Sequence, residues 1–280
     1  MIVLSENFRA LFYAPFYAAY ATGAFRDAGV EVALRPSPDP PAAARALRSG
    51  EVDVMWGGPL RVMIVHDSEP DADLVCFADV VARDPFFVIG ARPRPDFRLA
   101  DDLRRAGVDP DRLDRLSGPS MADNAAAIRA GTLDAAQLFQ PYAEELLASG
   151  AGHLWYAAAT RGLTAYTTLV TRRLTLERRA DDLLKMTQGL HRTLGWFAAT
   201  PAVEIARALK SYFPDVTEPI FAAAIDRYRK LGLWGPDPVI RRAGYDRLHA
   251  AMRAAGTLKR DIPYELCVDT TLAERARLRA

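Results

Sequence analysis

The architecture of the chain is organised around residues 52–61, VDVMWGGPLR. The apolar run that opens this stretch is typical of a short buried strand. Gly57, Gly58 and Pro59 follow, and proline is favoured in the first turn of a helix because its missing N–H leaves no bond unmade there. The stretch predicts a strand, a tight turn and a helix N-terminus, whose free N–H groups and positive dipole end suit an anion. An ordinary turn with no ligand is the alternative, since such βα turns are common.

Strands and helices alternate along the first third of the chain. Strands are predicted at residues 2–4, 30–34, 52–56, 74–81 and 85–89. Helices are predicted from Pro15, at residues 42–47 and from Pro59 to about residue 67. This β-α-β-α-β-α order predicts an α/β fold in which parallel strands are joined by right-handed crossovers.

A proline-rich connector at residues 92–97, RPRPDF, is a candidate crossover to a second domain, and residues 161–162 are a candidate return. Between and just after them, strands are predicted at residues 113–116, 133–139, 153–159 and 165–170, and helices at residues 101–106, 120–130 and 143–148. From Thr175 onward, apolar residues recur at helical spacing, which predicts a helical C-terminal region.

The size and the charge of the chain limit the classes of protein to which it can belong. The chain has 280 residues, of which 50% are hydrophobic and 25% charged, as expected for a globular protein with one large or two smaller domains. The net charge of +1 leaves no basic footprint for nucleic acid. No run of apolar residues is long enough to insert into a membrane.

The first residues do not have the pattern of a secretory signal, because Glu6, Asn7 and Arg9 interrupt the apolar run and no basic segment precedes it. We therefore expect either a cytoplasmic protein or a mature or truncated form of an exported one. The two cysteines, Cys76 and Cys267, lie in apolar surroundings and are interpreted as core residues.

Catalytic patterns are scarce. The sequence contains no HExxH, CxxC or GxSxG motif, and its four histidines are scattered. The pairs Asp101–Asp102 and Glu144–Glu145 are interpreted as solvated or helix-start carboxylates. No catalytic residue, metal site or cofactor is predicted.

Three segments resemble a known family. They are FYAPFYAAYATGAFRDAGVEVAL at residues 12–34, LRSGEVDVMWGGP at residues 47–59 and RAGTLDAAQLFQPYAEEL at residues 129–146. Together they resemble the type II periplasmic-binding-protein fold. The most similar branch comprises the substrate-binding proteins for nitrate, alkanesulfonates and the thiamine pyrimidine precursor.

The resemblance implies two α/β lobes that clamp a small ligand between them, followed by a helical C-terminal region. Lobe one would comprise residues 1–91 and 167–280, and lobe two residues 92–166. The family places a strand and a Ser/Thr-rich ligand loop after the first hinge, where residues 97–100 here run straight into a predicted helix. The second lobe is therefore expected to be shortened.

The resemblance also implies a ligand site built from loop ends. The expected ligand-binding residues are Asn7, Arg9, Tyr13, Trp56, Gly57, Gly58, Arg61, Arg83, Gln140, Tyr142 and Tyr166. Arginine offers a planar fork for an anionic group, and aromatic rings offer a flat apolar wall. The alternatives are a solvated surface position for each arginine and a core position for Trp56.

The function that follows is a solute-binding protein of the ABC-transporter kind, clamping a small anionic or polar ligand. If the protein is exported, the resemblance implies an ABC permease as its partner. The rival is a cytoplasmic enzyme of the same fold, related to synthesis of the thiamine pyrimidine precursor. That enzyme relies on a cysteine cluster and a histidine, which this sequence lacks in the matching region.

Overall fold

The structure is a computed structural model, and it describes residues 1–93, 116 and 118–278. Within these residues the strands form a five-stranded sheet and a three-stranded sheet. The strands are β1 (Ile2–Glu6), β2 (Val32–Pro36), β3 (Val54–Gly57), β4 (Leu74–Val81), β5 (Phe87–Gly90), β6 (Ala135–Leu138), β7 (His153–Ala157) and β8 (Thr167–Arg172).

The helices lie between the strands and make up most of the C-terminal region. They are α1 (Ala14–Ala21), α2 (Ala24–Asp27), α3 (Pro40–Ser49), α4 (Pro59–Ser68), α5 (Met121–Ala130), α6 (Tyr142–Ala148), α7 (Arg173–Arg178), α8 (Ala180–Ala199), α9 (Ala202–Ala208), α10 (Glu218–Lys230), α11 (Arg242–Ala254), α12 (Tyr264–Cys267) and α13 (Thr271–Arg277). None of the helices in the described ranges combines the length and the apolarity needed to cross a bilayer.

The larger sheet has the strand order β2-β1-β3-β8-β4. Strand β1 pairs in parallel with β2 and β3, as the alternation of strands and helices predicts. Strand β8, for which the sequence predicts no direction, lies antiparallel between β3 and β4. It enters the sheet as the chain returns from the smaller sheet.

The smaller sheet has the order β6-β5-β7 and is antiparallel throughout. The chain passes from the larger sheet to the smaller one through residues 82–86 and returns through residues 158–166. The two connections run side by side, since the N–H of Thr164 donates to the carbonyl of Ala82 and the N–H of Tyr166 donates to that of Val81. The connection at residues 82–86 therefore lies before residue 91, where the sequence analysis expects the first segment of lobe one to end.

Most elements lie where the sequence predicts them. The strand predicted at residues 30–34 is shifted to Val32–Pro36, and the helical region predicted from Thr175 onward begins with α7 and α8. The helix predicted at residues 101–106, residues 97–100, and nearly all of the strand predicted at residues 113–116 lie outside the described residues. The expected shortening of the second lobe rests on that segment and stays a prediction.

Candidate functional site

Three chain segments converge at one end of the larger sheet. They are the loop after β1, the glycine turn between β3 and α4, and the start of β8. A Cβ atom on Gly58 would lie 3.0 Å from the carbonyl oxygen of Tyr166, and one on Gly57 would lie 3.1 Å from Nδ2 of Asn7. Glycine is favoured at both positions, because a Cβ atom would be crowded by the Asn7 side chain at one and by the Tyr166 backbone at the other. We call the group formed by Asn7, Tyr13, Gly57, Gly58, Arg61, Tyr166 and Thr167 the strand-end site.

The N-terminus of α4 forms one wall of this site. Gly58 occupies the N-cap position with Pro59 behind it, and no side chain caps the first turn. Arg61 lies in that turn, half-buried, and makes no ion pair or side-chain hydrogen bond with the described residues. A free guanidinium beside an uncapped helix N-terminus is an environment that attracts an anion.

Buried polar atoms without partners mark the same place. Asn7 is 3% exposed and Thr167 is 0% exposed, yet Oδ1 of Asn7 and Oγ1 of Thr167 have no hydrogen-bond partner. Each such atom costs about 1–3 kcal/mol when it is left unpaired. Native structures satisfy most buried polar groups, so two orphans at one strand end indicate a place that a ligand or water completes.

The tyrosines of the site are neutral at physiological pH. Burial raises the pKa of Tyr13 to about 12, against the opposing influence of nearby Thr167, Asn7 and Arg61. Burial also raises the pKa of Tyr166 well above its usual value. Both phenols are therefore hydrogen-bond donors, and neither contributes a negative charge that would repel an anion.

Trp56 forms the floor beneath Tyr13. Its indole is 0% exposed, stacks on Phe16 with ring centroids 4.4 Å apart, and lies 5.6 Å from the ring of Tyr13. Its Nε1 has no hydrogen-bond partner. Trp56 is thus a core residue that supports Tyr13. A core position was the alternative that the sequence analysis left open for Trp56.

Aromatic rings join the two sheets beside the strand-end site. Phe139, just after β6, lies 5.3 Å from Phe12 and 5.6 Å from Phe86, measured between ring centroids. Phe12 in turn lies 5.7 Å from Tyr166. We call Phe8, Phe12, Phe86, Phe139 and Tyr166 the cross-sheet aromatic cluster. The rings of this cluster meet edge-to-face, so they pack against one another between the two sheets.

Two predicted arginines lie apart from this arrangement. Arg9 donates hydrogen bonds from Nε to Oε1 of Glu6 at 3.1 Å and from Nη2 to Oε2 of Glu6 at 3.2 Å. Glu6 also accepts a hydrogen bond from the hydroxyl of Tyr17. Arg83 donates from Nη1 to the carbonyl of Ala159 at 3.3 Å, which ties the two inter-sheet connections together. Both guanidinium groups bond to the protein, but Nε of Arg83 is buried without a hydrogen-bond partner.

Gln140 also has a partner for each side-chain atom. It is 0% exposed; its Oε1 accepts from the N–H of Glu144 at 2.8 Å, and its Nε2 donates to the carboxylate of Glu144 at 3.3 Å. Gln140 therefore holds the start of α6. Tyr142 lies half-buried against Phe139, with ring centroids 6.0 Å apart, at the rim of the cross-sheet aromatic cluster.

The structure thus brings Asn7, Tyr13, Gly57, Gly58, Arg61 and Tyr166 together and places Arg9, Arg83 and Gln140 in other networks. The sequence reasoning did not select Thr167, which belongs to the site, or Phe12 and Phe139, which lie beside it. Thr167 follows Tyr166 and Phe12 precedes Tyr13, both of which were selected. Their position next to a selected residue was the signal in the sequence that could have identified them. Phe139 ends a predicted strand directly before Gln140, and strand ends are where ligands meet α/β sheets.

Three surface cavities lie elsewhere in the described part of the protein. A polar cavity of about 340 Å³ lies between α3 and the start of β4, and one of about 520 Å³ lies beside α1, α2 and the edge strand β2. A third, of about 390 Å³, lies between β7 and α10. None of the eleven predicted site residues lines these cavities. Within the described ranges, no group of three histidine, cysteine or acidic side chains could hold a metal ion.

Comparisons with known proteins agree on the fold. The family described as NMT1/THI5 like matches residues 12–104, a span that contains most of the strand-end site. A Bacillus subtilis (strain 168) protein named as a binding protein, YtlA, is 24% identical over 298 residues, covering 98% of this chain and 89% of that protein.

Solved structures extend the likeness to nearly the whole chain. The ligand-binding component of an ABC-type import system from Staphylococcus aureus, solved with zinc bound, superposes with a TM-score of 0.76 at 12% identity, covering 98% of each chain. The alkanesulfonate-binding protein SsuA from Xanthomonas axonopodis pv. citri, bound to MOPS, gives 0.71 at 15% identity, covering 96% of this chain and 98% of that one. The chain therefore has the periplasmic-binding-protein fold, and its resemblance to the NMT1/THI5-like family is confirmed.

Proposed function

We propose that this protein binds a small anionic or polar molecule at the strand-end site and belongs functionally with the binding components of ABC import systems. One observation carries the proposal: an unpaired Arg61, an uncapped helix start and two orphaned buried polar atoms lie within the same strand-end site. Each of these features leaves an interaction unmade in the protein alone. An anion with polar neighbours would complete all of them together.

The two sheets supply the rest of the arrangement. We infer that they form the two lobes expected from the sequence, with residues 82–86 and 158–166 as hinges. The cross-sheet aromatic cluster lies where these two lobes would meet. An apolar part of the ligand would therefore replace contacts between the rings, and would not displace water there. Rotation about two adjacent hinge segments is a common way to close such lobes on a ligand.

The likeness to YtlA and to import-system components supports binding over catalysis. The residues available for chemistry agree with that choice. Burial raises the pKa of Cys267 to about 11 and that of Cys76 further, which disfavours a thiolate nucleophile at either position. His66 is fully buried and donates from Nε2 to the carbonyl of Leu74 at 2.9 Å. The enzymatic alternative, related to thiamine pyrimidine precursor synthesis, is supported by the match to the NMT1/THI5-like family alone.

Isothermal titration tests the proposal. Small carboxylates, sulfonates and phosphonates are titrated into the wild type and into Arg61→Ala, with Arg192→Ala as the matched control on an exposed helix face. We expect at least one anion to bind the wild type, and Arg61→Ala to weaken it about tenfold or more while Arg192→Ala leaves it unchanged. Equal affinity in the wild type and Arg61→Ala would contradict the proposed site.

A further inference from the structure

Helix α10 is attached to the side of the molecule that carries the larger sheet. Nη2 of Arg229 donates to the carbonyls of Phe197 at 2.8 Å and Thr200 at 2.6 Å, at the end of α8. Helix α8 in turn packs closely on α2, since a Cβ atom on Gly189 would lie 2.9 Å from the carbonyl oxygen of Ala24. These bonds tie α10 to the helices of lobe one.

The same helix also reaches across to the side that carries the smaller sheet. Nε of Arg227 donates to Oε2 of Glu144 in α6 at 2.6 Å, and Nη2 donates to Oε1 at 3.0 Å. The side chain of Glu144 is 9% exposed. Separating the two partners would leave a nearly buried charge without its counter-ion, which is costly. The ion pair therefore holds α10 and α6 together.

A cavity of about 390 Å³ adjoins this ion pair between β7 and α10. Leu154 and Ala157 line it from β7, and Ala223 and Leu231 line it from α10 and its C-terminal end. Atoms that face a void have no contact partners on that side, so they add little attraction between the two elements. At this place the ion pair, and not apolar packing, holds α10 against the smaller sheet.

The neighbouring contacts of α10 lie at the inferred hinge. The ring of Tyr228 stacks on Phe87, the first residue of β5, with ring centroids 5.7 Å apart. Its hydroxyl donates to the carbonyl of Pro85 at 3.2 Å and accepts from the N–H of Gln140 at 3.0 Å. Contacts close to a hinge change little when the parts on either side rotate. The ion pair joins the bodies of two helices, so rotation separates its partners.

We propose that the ion pair of Arg227 and Glu144 is a latch that keeps the two lobes together in the unliganded protein and breaks when they open. A contact that is made in only one of two conformations shifts the equilibrium toward that conformation. This inference rests on the proposed function, because it assumes that the two sheets are lobes that rotate about residues 82–86 and 158–166. It adds a pair of residues, outside the strand-end site, that sets the population of the open form.

Small-angle X-ray scattering of the unliganded protein tests the latch. Glu144→Gln removes the buried charge and keeps an oxygen that can accept from Gln140. We expect this variant to have a larger radius of gyration than the wild type, because part of the population opens. Glu218→Gln is the matched control; it breaks the exposed ion pair with Arg207 on the same helix and should keep the wild-type radius. Equal radii in the wild type and Glu144→Gln would overturn the inference.

A second variant covers the case in which Glu144→Gln does not fold, as judged by circular dichroism. Arg227→Met removes the other partner of the latch and should enlarge the radius of gyration in the same way, with Arg207→Met as its control. An unchanged radius in folded Arg227→Met would equally overturn the inference.

Calorimetry on the same samples separates this inference from the proposed function. Ethanesulfonate, propionate and methylphosphonate are the probes. Binding of one of them to the wild type, together with unchanged radii in the latch variants, would overturn the latch and leave the proposed function standing. Failure of all three probes to bind would count against the ligand site, while the comparison of radii would still decide whether the latch exists.

Discussion

Arg227 and Glu144 form a two-bond ion pair between helices α10 and α6, with Nε to Oε2 at 2.6 Å and Nη2 to Oε1 at 3.0 Å. The next residue, Tyr228, is fully buried; its hydroxyl accepts from the N–H of Gln140 at 3.0 Å and donates to the carbonyl of Pro85 at 3.2 Å. Helix α10 is thus bonded to α6, to the residue Gln140 that follows β6, and to the inter-sheet connection at residues 82–86. The sequence analysis expects this helix to belong to lobe one.

We expect Arg227→Ala to lower the free energy of unfolding by about 2–4 kcal/mol, because the side chain of Glu144, only 9% exposed, would lose its charged partner. Arg207→Ala is the control, since its ion pair with Glu218 involves side chains that are 64% and 41% exposed and should contribute much less. Denaturant unfolding measures both. Equal losses in the two variants would show that burial does not distinguish these pairs.

The glycine turn gives a second prediction. Gly58→Ala would place a Cβ 3.0 Å from both the Tyr166 carbonyl oxygen and Cδ2 of Leu60, so we expect about 1–3 kcal/mol of destabilisation. Gly195→Ala in α8 meets no atom within 4 Å and should stabilise the protein by up to about 1 kcal/mol through its higher helix propensity. Thermal unfolding of the two variants compares them. A Gly58→Ala protein as stable as the wild type would contradict the close approach of β8 to the turn.

A buried carboxyl group in β4 makes stability depend on pH. Asp79 is 5% exposed, its Oδ1 has no hydrogen-bond partner, and burial raises its pKa from 3.8 to about 8. The charges that act on it are Arg241, which opposes the shift, and Asp237, which adds to it. Between pH 3.8 and about 8 the folded state keeps a proton that the unfolded state has lost, so this group's contribution to stability falls as pH rises.

The measurement is denaturant unfolding of the wild type and Asp79→Asn across that pH range. Asparagine stays neutral, so the stability of the wild type relative to Asp79→Asn should fall by about 1.4 kcal/mol per pH unit at most, and level off above about pH 8. Asp246→Asn, at an exposed position, is the control and should follow the wild type. Parallel profiles for the wild type and Asp79→Asn would mean that Asp79 titrates normally in the folded protein.

Much of the fold was predictable because its signals are local. Pro59 after two glycines marks the start of α4, and the capping pair of Ser120 and Asp123 marks the start of α5. The position of β8 was not predictable in this way. Its pairing with β3 and β4 joins residues more than a hundred positions apart at Gly57 and Thr168, and no local pattern specifies such a contact.

The residues of the candidate site were also predictable only in part. Asn7, Gly58 and Arg61 were selected through the family resemblance, which implies ligand residues at loop ends, and the structure places them close together. Arg9 and Gln140 occupy similar positions, yet their side chains bond to Glu6 and Glu144. Rotamer and partner choice depend on tertiary contacts, so sequence position alone could not separate these two from the residues of the strand-end site.

The central claim of the proposal is that the ligand binds at the strand-end site. Backbone amide chemical shifts measure the location of the bound ligand. Isotope-labelled protein is titrated with the tightest-binding anion from the calorimetric panel while backbone amide signals are followed. We expect the largest shifts at Asn7, Gly58, Arg61 and Thr167, with smaller ones at Phe139 across the sheets. Shifts confined to the polar cavity between α3 and β4, with the strand-end site unchanged, would contradict the account.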